Sequence, residues 1–128
     1  MSFSKQLTAF VSGTQDKIDK TVKGATVVLA TNVITETPVD TGAARGNWQA
    51  SVGQPKTGIV ERTGADAAIA EVEATVPDKA GSVVYLANNL PYINKLEYGH
   101  SQQAASGMVR VNAARWPKIV EHEAAKHK

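Results

Sequence analysis

Along the first third of the chain, Phe3, Leu7, Val11, Ile18, Val22, Ala25, Leu29 and Val33 recur at three-, four- and seven-residue steps. That is one face of a helix, with Lys5, Lys17, Asp19, Lys20 and Lys23 mostly off it. The Thr- and Val-rich stretch 26–35 prefers strand locally, but the stripe runs through it without a phase break, so the period decides for helix. Gly13 and Gly24 each cost about 1 kcal/mol in a helix, and Gly24 is a plausible bend. Pro38 forces Thr37 out of the α region and ends the element at Glu36. A helix from Phe3 to Glu36 is about 51 Å long. A single domain of this length has a radius of gyration of about 14 Å. Such a helix breaks, or a neighbouring subunit covers its apolar face.

After Pro38 the period changes. In "GNWQASVG", Trp48, Ala50 and Val52 alternate with Asn47, Gln49 and Ser51, which predicts a half-buried strand. "GQPKTG" is an exposed loop. In "ADAAIAEVEATV", Ala70, Val72, Ala74 and Val76 alternate as a strand would, while Ile69, Val72 and Val76 also fit a helix. Ala and Glu tip the segment to helix. "PDKAG" turns the chain. "SVVYLANN" predicts a second strand, with Val84 and Leu86 facing opposite to Val83, Tyr85 and Ala87. In "NLPYINKLEYGH", Asn89 can cap, Pro91 suits a first turn and Gly99 follows the end, giving a short helix with Ile93 and Leu96 inward. "SQQAASG" is a loop. A last helix spans Met108 to Lys126, with Val109, Ala113, Trp116, Val120 and Ala124 on one face and Pro117 kinking or restarting it. The expected fold is α+β: a long N-terminal helix (1–36), then an α+β body (37–128). The body has a small, mainly antiparallel sheet with a short helix and a C-terminal helix packed on it. No internal repeat or domain boundary interrupts it.

Composition narrows the chemistry. The chain of 128 residues has no cysteine, which removes disulfides, cysteine-zinc sites and thiol nucleophiles. No apolar run is long enough to span a bilayer, and "MSFSKQLTAF" does not read as a signal peptide. A soluble protein, made and kept in the cytoplasm unless something larger carries it out, is expected. A net charge of +2 is too small for a dedicated nucleic-acid binder. Five basic residues after Met108 (Arg110, Arg115, Lys118, Lys126, Lys128) face Glu121 and Glu123 and read as a solvated helix face.

"PVDTGAA" carries the Asp-Thr-Gly triplet of aspartic proteases. There the Asp sits on a strand-loop element and shares a proton with its symmetry mate. Here a helix and a proline precede Asp40, and the C-terminus reads as helix. A turn explains every residue: Asp40 and Thr41 bond nearby backbone, and Gly42 takes a positive φ. "HEAAKH" places His122 and His127 five apart, roughly 140° around a helix, not on the one face that a zinc pair needs. His100 is a lone loop histidine. There is no phosphate-binding glycine pattern, so no cofactor and no metal is expected. Trp48, Tyr85, Tyr92, Tyr98 and Trp116 default to core or subunit contact.

Three blocks in order, "TPVDTGAARGNWQ" (37–49), "VVYLANNLPYINKLEYGHS" (83–101) and "AASGMVRVNAARWPKIV" (104–120), resemble the neck or tail-completion family of long-tailed bacteriophages. The long first helix is part of the likeness, and 53–81 carries little of it. The resemblance implies a structural, non-enzymatic virion protein at the head-tail junction. It would form a homohexameric ring that completes the tail end. Its partners would be the head-side connector or stopper proteins and the tail terminator or tail tube proteins. Phage DNA would pass the lumen without sequence-specific binding, and no membrane is involved. A tail terminator or connector adaptor ring is the neighbouring alternative, and a small aspartic-type hydrolase the remote one. The resemblance places a structural signature on Pro38, Asp40, Thr41, Gly42, Arg45 and Trp48. Asn89, Pro91, Tyr92, Leu96, Glu97, Tyr98 and Gly99 complete it. Turn formation, packing of the short helix and subunit contact are their implied roles. Opposite charge raises an Arg45–Glu97 ion pair as a hypothesis.

Overall fold

A computed structural model describes residues 2–39, 41–98 and 107–128. Met1, the side chain of Phe3, Asp40, and residues 99–106, where the sequence places the Gly99 stop, His100 and most of the "SQQAASG" segment, lie outside the described residues. The first element, α1, spans Phe3–Glu36 as one helix of 34 residues. The Ser2 side chain caps it, accepting from the Lys5 N–H at 3.3 Å. The threonines that disfavour helix are accommodated by back-bonding: the hydroxyls of Thr8, Thr14, Thr26 and Thr35 each donate to the carbonyl four residues earlier. At the far end the Thr37 N–H donates to Ile34 O at 3.3 Å, closing the last turn.

Past the turn, a one-turn helix α2 (Ala43–Gly46) leads into strand β1 (Gln49–Val52). Helix α3 (Asp66–Thr75) follows, then strand β2 (Val84–Ala87), a short helix α4 (Ile93–Glu97) and helix α5 (Val109–Ala125). The two strands pair antiparallel, Gln49 opposite Ala87 and Val52 opposite Val84. The architecture is therefore α+β. A core of Ala30, Val33, Ile34, Trp48, Ala50, Ala68, Val72, Val76 and Met108 joins the second half of α1, the sheet, α3 and the start of α5. Val84, Leu86, Ile93 and Leu96 pack against it, so the inward side of α4 is the one the sequence predicts, and β2 turns its Val84 and Leu86 side to the core.

Four details differ from the sequence reading. The stripe on α1 is buried only in its second half: residues 4–18 are exposed, and Asp19 is the first buried position. Gly24, expected as a bend, lies inside the helix where α5 comes closest. A Cβ there would stand 2.5 Å from Glu123 Oε2. Strand β1 is covered on both faces at Gln49, Ala50 and Ser51, because the loop after it folds over its polar side, while Val52 of the predicted inward side is exposed. Gln49 Nε2 donates to Gly58 O at 3.0 Å, Ser51 Oγ to Gln54 O at 2.6 Å and the Val60 N–H to Asn47 Oδ1 at 2.9 Å.

The fourth concerns α5, which runs through Pro117 without a break. Its buried positions are Asn112 and Glu123, while Val109, Ala113 and Ala124 of the predicted apolar face are exposed. Polar anchors set this rotation. Asn112 Nδ2 donates to Glu36 Oε2 at 3.0 Å and to Met108 O at 2.8 Å, and Arg115 Nη1 donates to Glu36 Oε1 at 2.9 Å. The apolar stripe of α5 is thereby turned to the flank of the molecule, beside the exposed stripe of α1.

Candidate functional site

The signature residues fall into two built clusters. The first is the turn between α1 and β1. Thr37 is fully buried, and its hydroxyl donates to Val33 O at 2.6 Å while accepting from the Trp48 indole Nε1 at 2.8 Å. Trp48 thus locks the strand's entry to the helix's exit. Pro38 is buried beside Thr37. Arg45 Nε donates to Thr37 O at 2.7 Å. Thr41 Oγ1 accepts from the Ala43 N–H at 3.3 Å, and Gly42 holds φ at 86°, a conformation that favours glycine. The Gly42 carbonyl accepts from the N–H groups of Gly46 and Gly64 at 3.1 and 2.9 Å. Gly46 has no room for a side chain, because a Cβ there would run into the backbone carbonyl of Arg62.

The second cluster is the junction of α4 with α5. Glu97 is only 8% exposed, and its carboxylate accepts from three successive N–H groups at the start of α5: Met108 at 3.1 Å, Val109 at 2.8 Å and Arg110 at 2.9 Å. The Arg110 guanidinium adds Nε to Glu97 Oε2 at 3.0 Å and also donates to the Glu97 backbone carbonyl. Burial pushes the Glu97 carboxyl up. The N–H donors of Val109 and Arg110, the guanidinium and the Met108 N–H outweigh it, and the net shift is downward. Arg110 also stacks over the exposed Tyr98 ring, its Cζ 4.8 Å from the centroid. The expected Arg45–Glu97 pair does not form: Arg45 binds the Thr37 carbonyl, and Glu97 caps α5 and pairs with Arg110.

Two links tie these clusters together. Asn88 Nδ2 donates to Ala44 O at 2.8 Å, fastening the end of β2 to α2. Glu36, at the end of α1, holds Asn112 and Arg115 of α5. Asn89 does not cap α4. Its Nδ2 donates to Lys56 O and Gly58 O at 3.0 and 2.9 Å, holding down the loop that covers β1. Pro91 and Tyr92 form the turn before α4, and Leu96 packs on the core. Asp40 and Gly99 fall outside the described residues.

The sequence reading missed two polar anchors in the segment 53–81. Arg62 donates from Nε to Gly46 O at 2.7 Å, from Nη2 to Trp48 O at 2.8 Å and from Nη1 to Glu71 Oε2 at 3.1 Å. Glu71 Oε1 in turn accepts from the Ala50 N–H at 2.8 Å. Together they satisfy the outer edge of β1 with side chains. Asp19, 4% exposed, accepts from the Ala80 N–H at 2.9 Å and from Gln15 at 3.0 Å, with Lys79 at 3.5 Å. The Ala80 bond, then Gln15, hold its carboxyl below the usual range against burial. Lys23 reinforces this latch through Asp78 at 2.8 Å. The sequence carries no signal for this latch, because Asp19 stands off the apolar stripe and its backbone partner Ala80 lies 61 positions away.

Two further features lie on the α1–α5 flank. A mostly apolar cleft of about 180 Å³ opens between α1, β2 and α5, and a separate, more open groove between α1 and α5 passes Ile18, Val22, Val120 and Ala124. Among the described residues no three His, Asp or Glu side chains converge as metal ligands, and no helix is long and apolar enough to cross a membrane. Comparison with protein-family models, curated proteins and solved structures finds no match for this chain.

Proposed function

We propose that this chain is a structural subunit of the phage head-tail junction. It forms a ring that completes the tail end and joins it to the head connector. The observation that carries the reading is α1. Its first half projects beyond its own domain with Leu7, Phe10, Val11 and Ile18 exposed along one stripe. An apolar face of that length calls for a covering partner. The resemblance of the three sequence blocks supplies the setting. The signature residues fit a scaffold role: Arg45, Trp48, Asn89 and Glu97 engage backbone groups or hold one element to the next. Modest net charge suits a ring through which DNA passes, because tight phosphate contacts would retard transit. Neighbour contacts in such a ring are heterologous, so each subunit offers two different surfaces.

Negative-stain microscopy of lysates from the parent phage with this gene interrupted tests the role. DNA-filled heads separate from full-length tails are expected. Tails of uncontrolled length would move the protein to tail terminator, and normal particles would remove the structural role. Complementation with Asp40→Ala adds the enzyme test: catalysis would be abolished with assembly intact, whereas a turn residue impairs assembly.

A further inference from the structure

The chain carries a free apolar ridge and an apolar cleft that nothing in its own fold fills. We infer that they fit each other between copies: Phe10 of one subunit inserts into the α1–β2–α5 cleft of the next. The inference specifies the contact within the ring proposed above, and it can fail or hold without that setting. Phe10 is 71% exposed, on a segment where every residue from Ser4 to Ile18 is exposed. The cleft is lined by Leu29, Val33, Val84, Leu86, Val109 and Ala113, with Trp48 among the residues that close it. Its volume of about 180 Å³ matches a single phenyl group, since an apolar cavity of roughly 150 Å³ takes up benzene. Leu7 and Val11 lie to one side of Phe10 on the same ridge and would fall against the α1–α5 groove.

Area favours a second copy as the occupant. Residues 4–18 form about 22 Å of helix some 10 Å across. Laid along the groove, that face buries roughly 400 to 500 Å² on each partner, close to the ~1,000 Å² total of a specific contact. A closed ring gives every subunit two such contacts. A two-fold dimer of ridge against ridge would leave the cleft open, and a reciprocal two-fold exchange of ridge and cleft would close at two copies, whereas the head-to-tail arrangement covers both surfaces and repeats around a ring. No charged side chain lines the cleft, so insertion of Phe10 depends little on salt, whereas Lys17, Glu121 and Lys128 line the groove beside it.

Because the chain has no cysteine, engineered pairs report the contact cleanly. Val11→Cys and Ala113→Cys are introduced singly and together in the full chain, oxidised, and resolved by denaturing electrophoresis. The double variant is expected to give a ladder of covalent oligomers and each single variant none. Phe10→Asp is expected to keep the helical signal, and the melting temperature at dilutions where both proteins are monomeric, because Phe10 lies on the exposed arm. It should weaken association measured by light scattering about 10- to 100-fold, the equivalent of losing one buried aromatic. Cross-linking of Val11→Cys alone, or a double variant whose covalent species stop at the dimer, would replace the head-to-tail contact with a two-fold one. A monomer at all concentrations, or a monomer that copurifies with a small apolar molecule in the cleft, would overturn the inference. In either case the phage phenotype would be left to judge the role at the junction.

Discussion

Replacing Glu97 by Gln removes one charge and changes almost no volume, and the consequences follow from the geometry at the start of α5. The first N–H groups of a helix have no partner within it. In this chain the carboxylate of Glu97 accepts three of them, at 2.8 to 3.1 Å, and binds Arg110 as well. Gln offers one acceptor oxygen, and its amide group points donors at donors. A hydrogen bond to a charged group contributes about 1.5–3 kcal/mol, and an anion at a helix N-terminus about 0.3–1 kcal/mol. These contributions share one carboxylate and do not add fully, so Glu97→Gln should cost roughly 2–4 kcal/mol. At about 4 °C per kcal/mol the melting temperature falls by some 8–16 °C. Urea unfolding at neutral pH, followed by circular dichroism, reads the change. The pH dependence gives an independent check. The folded carboxyl is held below its ordinary value. Its contribution is therefore complete above the unfolded pKa of about 4.3 and disappears as pH falls through the lower folded value. The wild-type protein should lose stability over that acid range more steeply than Glu97→Gln. A loss within about 0.5 kcal/mol, the spread of ordinary surface changes, with an unchanged acid limb, would refute the capping account.

Three further outcomes follow. Trp48→Phe deletes the indole donor to Thr37 Oγ1 and should cost about 0.5–1.5 kcal/mol in urea unfolding, without altering the helical signal. Arg62→Met leaves the Gly46 and Trp48 carbonyls without this donor and Glu71 without its cation; a loss of about 2–4 kcal/mol is expected, read by the same assay. Asp19→Asn removes the charged acceptor of the Ala80 N–H. Amide exchange at Ala80 should speed up relative to core amides, and part of the acid limb should flatten, because a carboxyl held below its ordinary value stabilises only while ionised.

Much of this fold is legible in the sequence because period and punctuation agree. The helix α1, the break before Pro38, the positions of both strands and the inward pair Ile93 and Leu96 all correspond to observed elements. What escapes is which apolar stripe gets buried. On α5 the apolar residues are conspicuous, yet Asn112 and Glu123 face inward, because Glu36 lies seventy-six positions from Asn112 in the chain and supplies its partner. Polar burial depends on such distant partners, and a one-dimensional pattern does not carry them. The same holds for the covered polar face of β1 and for Arg62, whose acceptors are backbone carbonyls with no sequence identity of their own. Of the signature, the turn residues Thr41, Gly42 and Trp48 behave as their chemistry suggests. Glu97 and Arg45 have different partners from the ones opposite charge implies.

Gold labelling of a C-terminal tag on intact phage particles tests the central claim most directly, since Lys128 is exposed. The proposed role predicts label at a single level, where head meets tail, in most particles. Label at the tail tip, along the tube or absent from the particle would contradict it.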